Sequence, residues 1–390
     1  MMKTGVAAAA VLALAVAPAM AQQKTVKIGF ISTFSGPAAA IGNDMRSAFE
    51  LGLDHLGRKL GGLPVEVVYE DDTQKPEVGV QKTQKLIESD HVDFVVGYIW
   101  SNVLLASLKT LVDTKTVTVV TNAGASQLAG ELCSPYVFST SWNNDQTPEA
   151  MGLYMNQKGV KTAFLIGPNY AAGKDMLAGL KITYKGKVIG EELTRWPDQL
   201  DFSAELSKAR SAKPDAIYAF YPGGAGVQFV TQYAQSGLKG QIPLYTVFTI
   251  DELSLPRLKD LAVGIPGAQE WVNDLPNEAN KKFVADYIAK YKRRPSFYGA
   301  QTYDAVSLLD SAIMAVGGDL SKKDDLRRAM ERADFKSVRG NFKFGPNHIP
   351  IQNFYLQDVV KTAQGDYVLH TVATIVENDQ DRFHDRCPMK

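Results

Sequence analysis

Gly167-Pro168-Asn169-Tyr170-Ala171-Ala172-Gly173-Lys174 has the plainest claim to chemistry, because glycines ahead of a lysine can cradle a phosphate. It carries five residues between its glycines where a phosphate loop has four, and Asp175 stands where Ser or Thr would hold magnesium. An ordinary strand-to-helix turn accounts for it. Gly224-Ala225-Gly226 lacks the third glycine of a dinucleotide fingerprint. Gly124-Ala125-Ser126-Gln127-Leu128 lacks the last glycine of a nucleophile elbow. His55, His91, His348, His370 and His384 are scattered, with no pair at metal-ligand spacing. Asp71 and Asp72 adjoin at a strand end, where neighbouring side chains point apart. These residues give no catalytic constellation and call for no cofactor or metal. Lys290 to Arg294 is a basic run that offsets a helix dipole, with docking at a membrane partner as the alternative.

The start of the chain sets the compartment. Lys3 precedes an apolar run from Val6 to Ala17, and Ala19-Met20-Ala21 offers small residues to a signal peptidase. Residues 1–21 therefore read as a signal peptide cleaved before Gln22. The run is too short to span a bilayer, which takes about 20 apolar residues. An exported periplasmic protein is expected. The formal net charge of +0 makes no electrostatic case for nucleic acid or an anionic membrane. In an oxidising compartment Cys133 and Cys387 pair by default, two buried free thiols being the alternative. Two thiols without a His cluster cannot fill a zinc site.

The elements alternate. Val26 to Ile31 reads as a strand, and Ile41 to Lys59 as a helix with Ile41, Met45, Ala48, Phe49, Leu53 and Leu56 on one face. Strands follow at Val65 to Tyr69, Val92 to Val96 and Val117 to Thr121, with a helix from Pro76 to Ser89. The rhythm restarts near Asp145, with strands at Thr162 to Ile166, Asp215 to Phe220 and Ile242 to Val247. Helices at Glu278 to Arg293, Gln301 to Val316 and Ser321 to Arg332 come next, the last opened by a Ser321/Asp324 capping box. A hairpin spans Phe354 to Val376. The fold class is α/β, with two doubly wound parallel-sheet lobes, as a chain too long for one core requires.

In such sheets ligands lie beyond the carboxyl ends of strands, where helix N-termini offer free N–H groups. The segments there carry a family likeness. Ile28-Gly29-Phe30 leading to Ser35-Gly36-Pro37-Ala38 and Gly42 resembles the opening of the periplasmic leucine/isoleucine/valine-binding proteins that feed ABC importers. Val95-Val96-Gly97 with Ser101, Pro148-Glu149-Ala150, Asn169-Tyr170 with Gly173, Lys213 to Ala216 and Tyr303-Asp304-Ala305 extend the likeness along the mature chain. The resemblance implies three hinge crossings, with one lobe at residues 23–141 and 272–344, the other at 142–271 and 345–376, and a tail at 377–390. It implies a monomer, a small-molecule carboxylate ligand and ABC permease subunits as partners.

By the same resemblance Ser101 supplies a hydroxyl to a ligand carboxylate, and Ser35 belongs to the ligand-side opening loop. Asn102 caps the helix starting at Val103 or touches ligand. Gly124, Ala125 and Ser126 form the second loop; Ala125 stands where the family has Thr, with Ser126 substituting from one place further on. The family's partner for an α-ammonium falls at Phe248 or Thr249, so it is absent, or shifted to Asp251. Tyr98, Trp100, Tyr170, Tyr221 and Phe248 crowd the same cleft with aromatic surface. An aromatic acid, benzoate-like or phenylpropenoid, is the expected cargo, and a branched-chain or other aliphatic amino acid the alternative. A ligand sensor for a membrane receptor is the reading from another class.

Overall fold

The computed structural model describes residues 24–389; the expected signal peptide, its expected cleavage point and Gln23 lie outside the described residues. Strand β1 (Val26–Ser32) is buried on both faces, with Val26, Ile28, Phe30 and Ile31 fully covered. Burial of both faces is what a parallel sheet beneath helices demands. Helix α1 (Ala39–His55) buries Ile41, Met45, Ala48, Phe49 and Leu53. It stops short of Lys59, because Gly57 and Arg58 both take positive φ, and Lys59 instead opens β2 (Lys59–Leu60). Strands β3 (Leu63–Asp71), β4 (Phe94–Gly97), β5 (Val117–Val120) and β6 (Val137–Ser139) complete the first sheet, in the order β2-β3-β1-β4-β5-β6. Only β2 runs antiparallel within it. Helices α2 (Pro76–Gln84), α3 (Ser101–Asp113) and the short α4 (Ser126–Ala129) link these strands.

After β6 the chain crosses to a second α/β unit. Its elements are α5 (Gln146–Gln157), β7 (Thr162–Pro168), α6 (Ala171–Thr183), β8 (Lys187–Thr194), α7 (Ser203–Ala212), β9 (Ala216–Ala219), α8 (Gly223–Gln235), β10 (Leu244–Val247), α9 (Leu255–Leu258) and β11 (Gly267–Gln269). A second crossing leads back to α10 (Glu278–Tyr291), α11 (Phe297–Ala315) and α12 (Lys323–Arg332), and α10 and α11 pack against α1. Helix α12 starts later than the sequence implied. The Ser321 hydroxyl bonds Asp319 at 2.6 Å, so no Ser321/Asp324 box forms. A third crossing runs through β12 (Lys343–Phe344) into the hairpin β13 (Pro350–Lys361) and β14 (Tyr367–Asp379). The second sheet has the order β12-β13-β11-β10-β9-β7-β8, with β14 on β13. Strand β14 continues past residue 376, where the tail was expected to begin.

Arg339 gathers the crossings. Its guanidinium bonds Gln352 at 2.7 Å and the Ser141 carbonyl at 3.4 Å, and pairs with Asp304 of α11 at 3.1 Å. Asp304 is fully buried and also accepts from the Ser337 hydroxyl and the Val338 N–H. The tail returns along the first crossing. Asp381 accepts from Asn143 and Asn347, Arg382 forks onto Glu149, and Cys387 is bonded to Cys133, 254 residues earlier.

Candidate functional site

The two sheets face each other with the carboxyl ends of their strands, and a narrow cavity of about 20 Å³ lies between them. That is far below the roughly 300–1,000 Å³ found for ligand sites, so a ligand enters only as the lobes part. Strand-end loops of both lobes contribute. Ile99, Trp100 and Ser101 follow β4, and Asn122, Ala123 and Gly124 follow β5. From the other lobe come Tyr170, Ala172 and Met176 after β7, Phe220 and Pro222 after β9, and Phe248 after β10. Trp142 and Asn144 enter from the first crossing and Tyr298 from the start of α11.

Two glycines make this geometry possible. Gly97 holds φ +126°, and a Cβ there would collide with the Ile31 carbonyl, so the β4 loop can lie close on β1 only as glycine. At Gly124 a Cβ would fall 2.5 Å from the Trp142 carbonyl oxygen and 2.8 Å from Asn144 Oδ1. Its absence lets the crossing approach the second loop.

The walls are aromatic. Trp142 stacks on Phe248 with ring centroids 4.2 Å apart and planes 19° apart. Trp100 lies edge-on to Tyr170 at 6.2 Å, its indole N–H donating to the Thr33 hydroxyl at 2.7 Å. No hydrogen bond ties the hydroxyl of Tyr170 or Tyr298 to another described residue, and both rings line the cavity. Burial pushes both phenols well up, so each keeps a proton to donate.

The polar end is built on helix starts. Helices α3 and α6 begin at Ser101 and Ala171, and each presents unpaired N–H groups in its first turn, with the positive end of the helix dipole behind them. Ser101 Oγ accepts from Asn144 Nδ2 at 3.1 Å, which leaves the hydroxyl hydrogen for a ligand. Asn144 Nδ2 also reaches Asp175 of α6 at 3.0 Å, and Asn144 Oδ1 accepts from the Trp142 indole at 3.2 Å. One amide thus ties the serine, an aromatic wall and the opposite lobe together. Among the lining residues there is no acidic or basic side chain.

The sequence-selected residues divide accordingly. Trp100, Ser101, Gly124, Tyr170 and Phe248 line the cavity; Ser35, Tyr98, Asn102, Ala125, Ser126 and Tyr221 do not. The Tyr98 hydroxyl is turned to Thr83 at 2.6 Å. Tyr221 stacks on Phe229 in the second lobe's core, its hydroxyl on Thr194 at 2.8 Å. Ser126 gives its hydroxyl to Asp145 and its N–H to Asp175, so it joins the lobes instead of facing the cavity. Ala125 is buried in the N-cap position of α4. Asn102 does not cap α3, because the helix starts two residues earlier than expected, at Ser101, with Trp100 at the N-cap. Ser35 is exposed and makes no capping bond. Asp251 lies outside the lining, its Oδ1 held by the N–H groups of Leu253 and Ser254. Trp142, Asn144 and Tyr298 escaped sequence reading; the only signal was their aromatic and amide character beside expected hinge or helix starts.

Behind the site, buried carboxylates crowd together. Burial first, then Asp175 and Glu149, push Asp145 up to about 7, and burial with Asp251 beside it pushes Glu252 up to about 8. These groups hold protons in the folded state at pH values where the unfolded chain has released them. Their contribution is fully present below about pH 4 and is lost as pH rises through about 7 to 8. The melting temperature is expected to fall by a few degrees between pH 5 and pH 8.5, and Asp145→Asn to flatten part of that slope. A melting temperature that rises over the same interval contradicts this assignment.

A family model described as periplasmic binding protein matches residues 25–365. Leu/Ile/Val-binding protein homolog 6 of Brucella melitensis is 30% identical, over 96% of this chain and 97% of its own. Among solved structures, an R. palustris ABC-transporter solute-binding protein in complex with benzoate superposes with a TM-score of 0.87 at 34% identity, over 92% of this chain and 98% of its own. A solute-binding protein of Rhodopseudomonas palustris in complex with 3,4-dihydroxybenzoic acid gives 0.86 at 29% identity, over 92% and 99%. With its two parallel-sheet lobes and interlobe cavity, the chain belongs to the periplasmic binding protein family, as a solute-binding protein of the ABC-transporter type.

Proposed function

We propose that the protein captures a benzoate-like aromatic carboxylate between its lobes and delivers it to the permease of an ABC importer. The observation that carries this reading is the lining itself: aromatic walls, free hydroxyls and helix N-termini, with no acidic side chain. A carboxylate gains from the N-termini of α3 and α6 and from the Ser101 hydroxyl. A planar ring gains from Trp142, Phe248 and Tyr170. An amino acid would bring an ammonium as well, and burying it without a carboxylate partner is costly. The similar proteins in complex with benzoate and with 3,4-dihydroxybenzoic acid support the same reading.

On this reading the protein is a carrier without cofactor, not an enzyme. It works as a periplasmic monomer after removal of residues 1–21, with lobes parted near residues 141, 272 and 345. Ligand favours the closed form by adding contacts from the second lobe. Ser101, Trp100, Gly124, Tyr170 and Phe248 touch it. Thermal denaturation of ligand-free protein across a panel tests the proposal. Benzoate and 4-hydroxybenzoate are expected to raise the melting temperature in a concentration-dependent way, since only the folded state binds them. Leucine and isoleucine are expected to leave it unmoved. Stabilisation by leucine alone contradicts the reading.

A further inference from the structure

Beside the ligand cavity lies a second, more open pocket of about 230 Å³. The two share Trp100 and Pro222. The outer pocket is otherwise walled by both lobes, with Pro37 and Gln74 from the first and Trp196, Leu200 and Ala225 from the second. It is therefore at the mouth of the cleft. Trp196 comes from the loop after β8. Its indole lies flat on Tyr170, with centroids 4.8 Å apart and planes 12° apart, and leans on Trp100 at 5.3 Å. Both of those rings line the inner cavity, while Trp196 lines only the outer one.

The two tryptophans are held differently. Trp100 is 2% exposed and its N–H is bonded to Thr33. The Trp196 N–H is buried without a partner among the described residues, so stacking and apolar packing, with no hydrogen bond, fix the ring. Stacking restricts a ring's orientation less sharply than a directional hydrogen bond does.

We propose that Trp196 is the wall that sets ligand length, and that the outer pocket is a latent subsite for the side chain of a longer aromatic acid. This rests on the aromatic-acid reading of the inner cavity. With the indole in place, the site accepts a carboxylate borne directly on one ring. A phenylpropenoid acid, longer by a two-carbon linker, needs the space beyond Trp196.

Calorimetric dissociation constants for benzoate and 4-hydroxycinnamate, measured on wild type, Trp196→Phe and Trp196→Ala, test this. Wild type is expected to prefer benzoate. The ratio of the two constants is expected to move toward 4-hydroxycinnamate by at least tenfold in W196A, and by less in W196F, which keeps a stacked ring. The ratio is the readout because a general loss of lobe closure weakens both acids alike. W196F supplies the smaller perturbation should W196A fold poorly. A ratio unchanged in both variants overturns the wall while leaving the aromatic-acid reading intact. Wild type that binds neither acid overturns both.

Discussion

Ser101→Ala is expected to weaken benzoate binding by roughly ten- to a hundredfold, with little change in stability. The hydroxyl sits at the first turn of α3, beside the helix N–H groups, and its only hydrogen bond among the described residues is one it accepts from Asn144. Its own hydrogen is left for the ligand carboxylate. Hydrogen bonds to charged groups contribute about 1.5–3 kcal/mol, which corresponds to that loss of affinity. Stability changes little because Asn144 Nδ2 retains Asp175 as an acceptor. Calorimetry on wild type and variant checks this, and equal affinities would remove Ser101 from the carboxylate end of the site.

The largest loss of stability is expected from Arg339→Ala, about 3–5 kcal/mol in denaturant unfolding, the cost typical of breaking a buried ion pair on one side. The Arg339 side chain is 5% exposed and that of Asp304 fully buried. Removing the guanidinium leaves the Asp304 carboxylate without its charge partner and takes donors from Ser141 on the first crossing and Gln352 near the start of β13. Because burial already raises the Asp304 pKa, the variant is expected to be worst at high pH, where that carboxyl must ionise alone. Asp304→Asn in the same background should recover part of the loss. A drop below about 1 kcal/mol in R339A would mean that the hinge does not depend on this pair.

Much of the architecture was legible because its elements are regular. The face of α1 and the buried strands β1, β4 and β5 carry their periodicity openly, and the switch from one α/β unit to the next shows near Asp145. Elements with thin cores did not announce themselves. Helix α7 buries only Leu206 and Ala209, and the edge strand β8 alternates with exposed and half-buried side chains. The loops after strands could be located by topology, which is why Trp100, Ser101, Gly124, Tyr170 and Phe248 were found. Side-chain direction could not. Tyr98 and Tyr221 sit at the correct strand ends, yet each turns toward a threonine within its own lobe. Trp142, Asn144 and Tyr298 reach the cavity through long-range packing of a crossing and a distant helix start, and local sequence does not encode that.

The most direct measurement is calorimetric titration of unfolded and refolded, ligand-free protein, first with leucine and then with benzoate. Refolding removes any cargo carried through purification. No heat beyond dilution with leucine, followed by saturable one-to-one binding of benzoate, is the expected result, because the cavity offers a carboxylate end and a flat aromatic interior but no acid for an ammonium. Saturation by leucine with silence toward benzoate would contradict it, and would mean that Asp175 or Asp251 leaves its present partners to complete an amino-acid site.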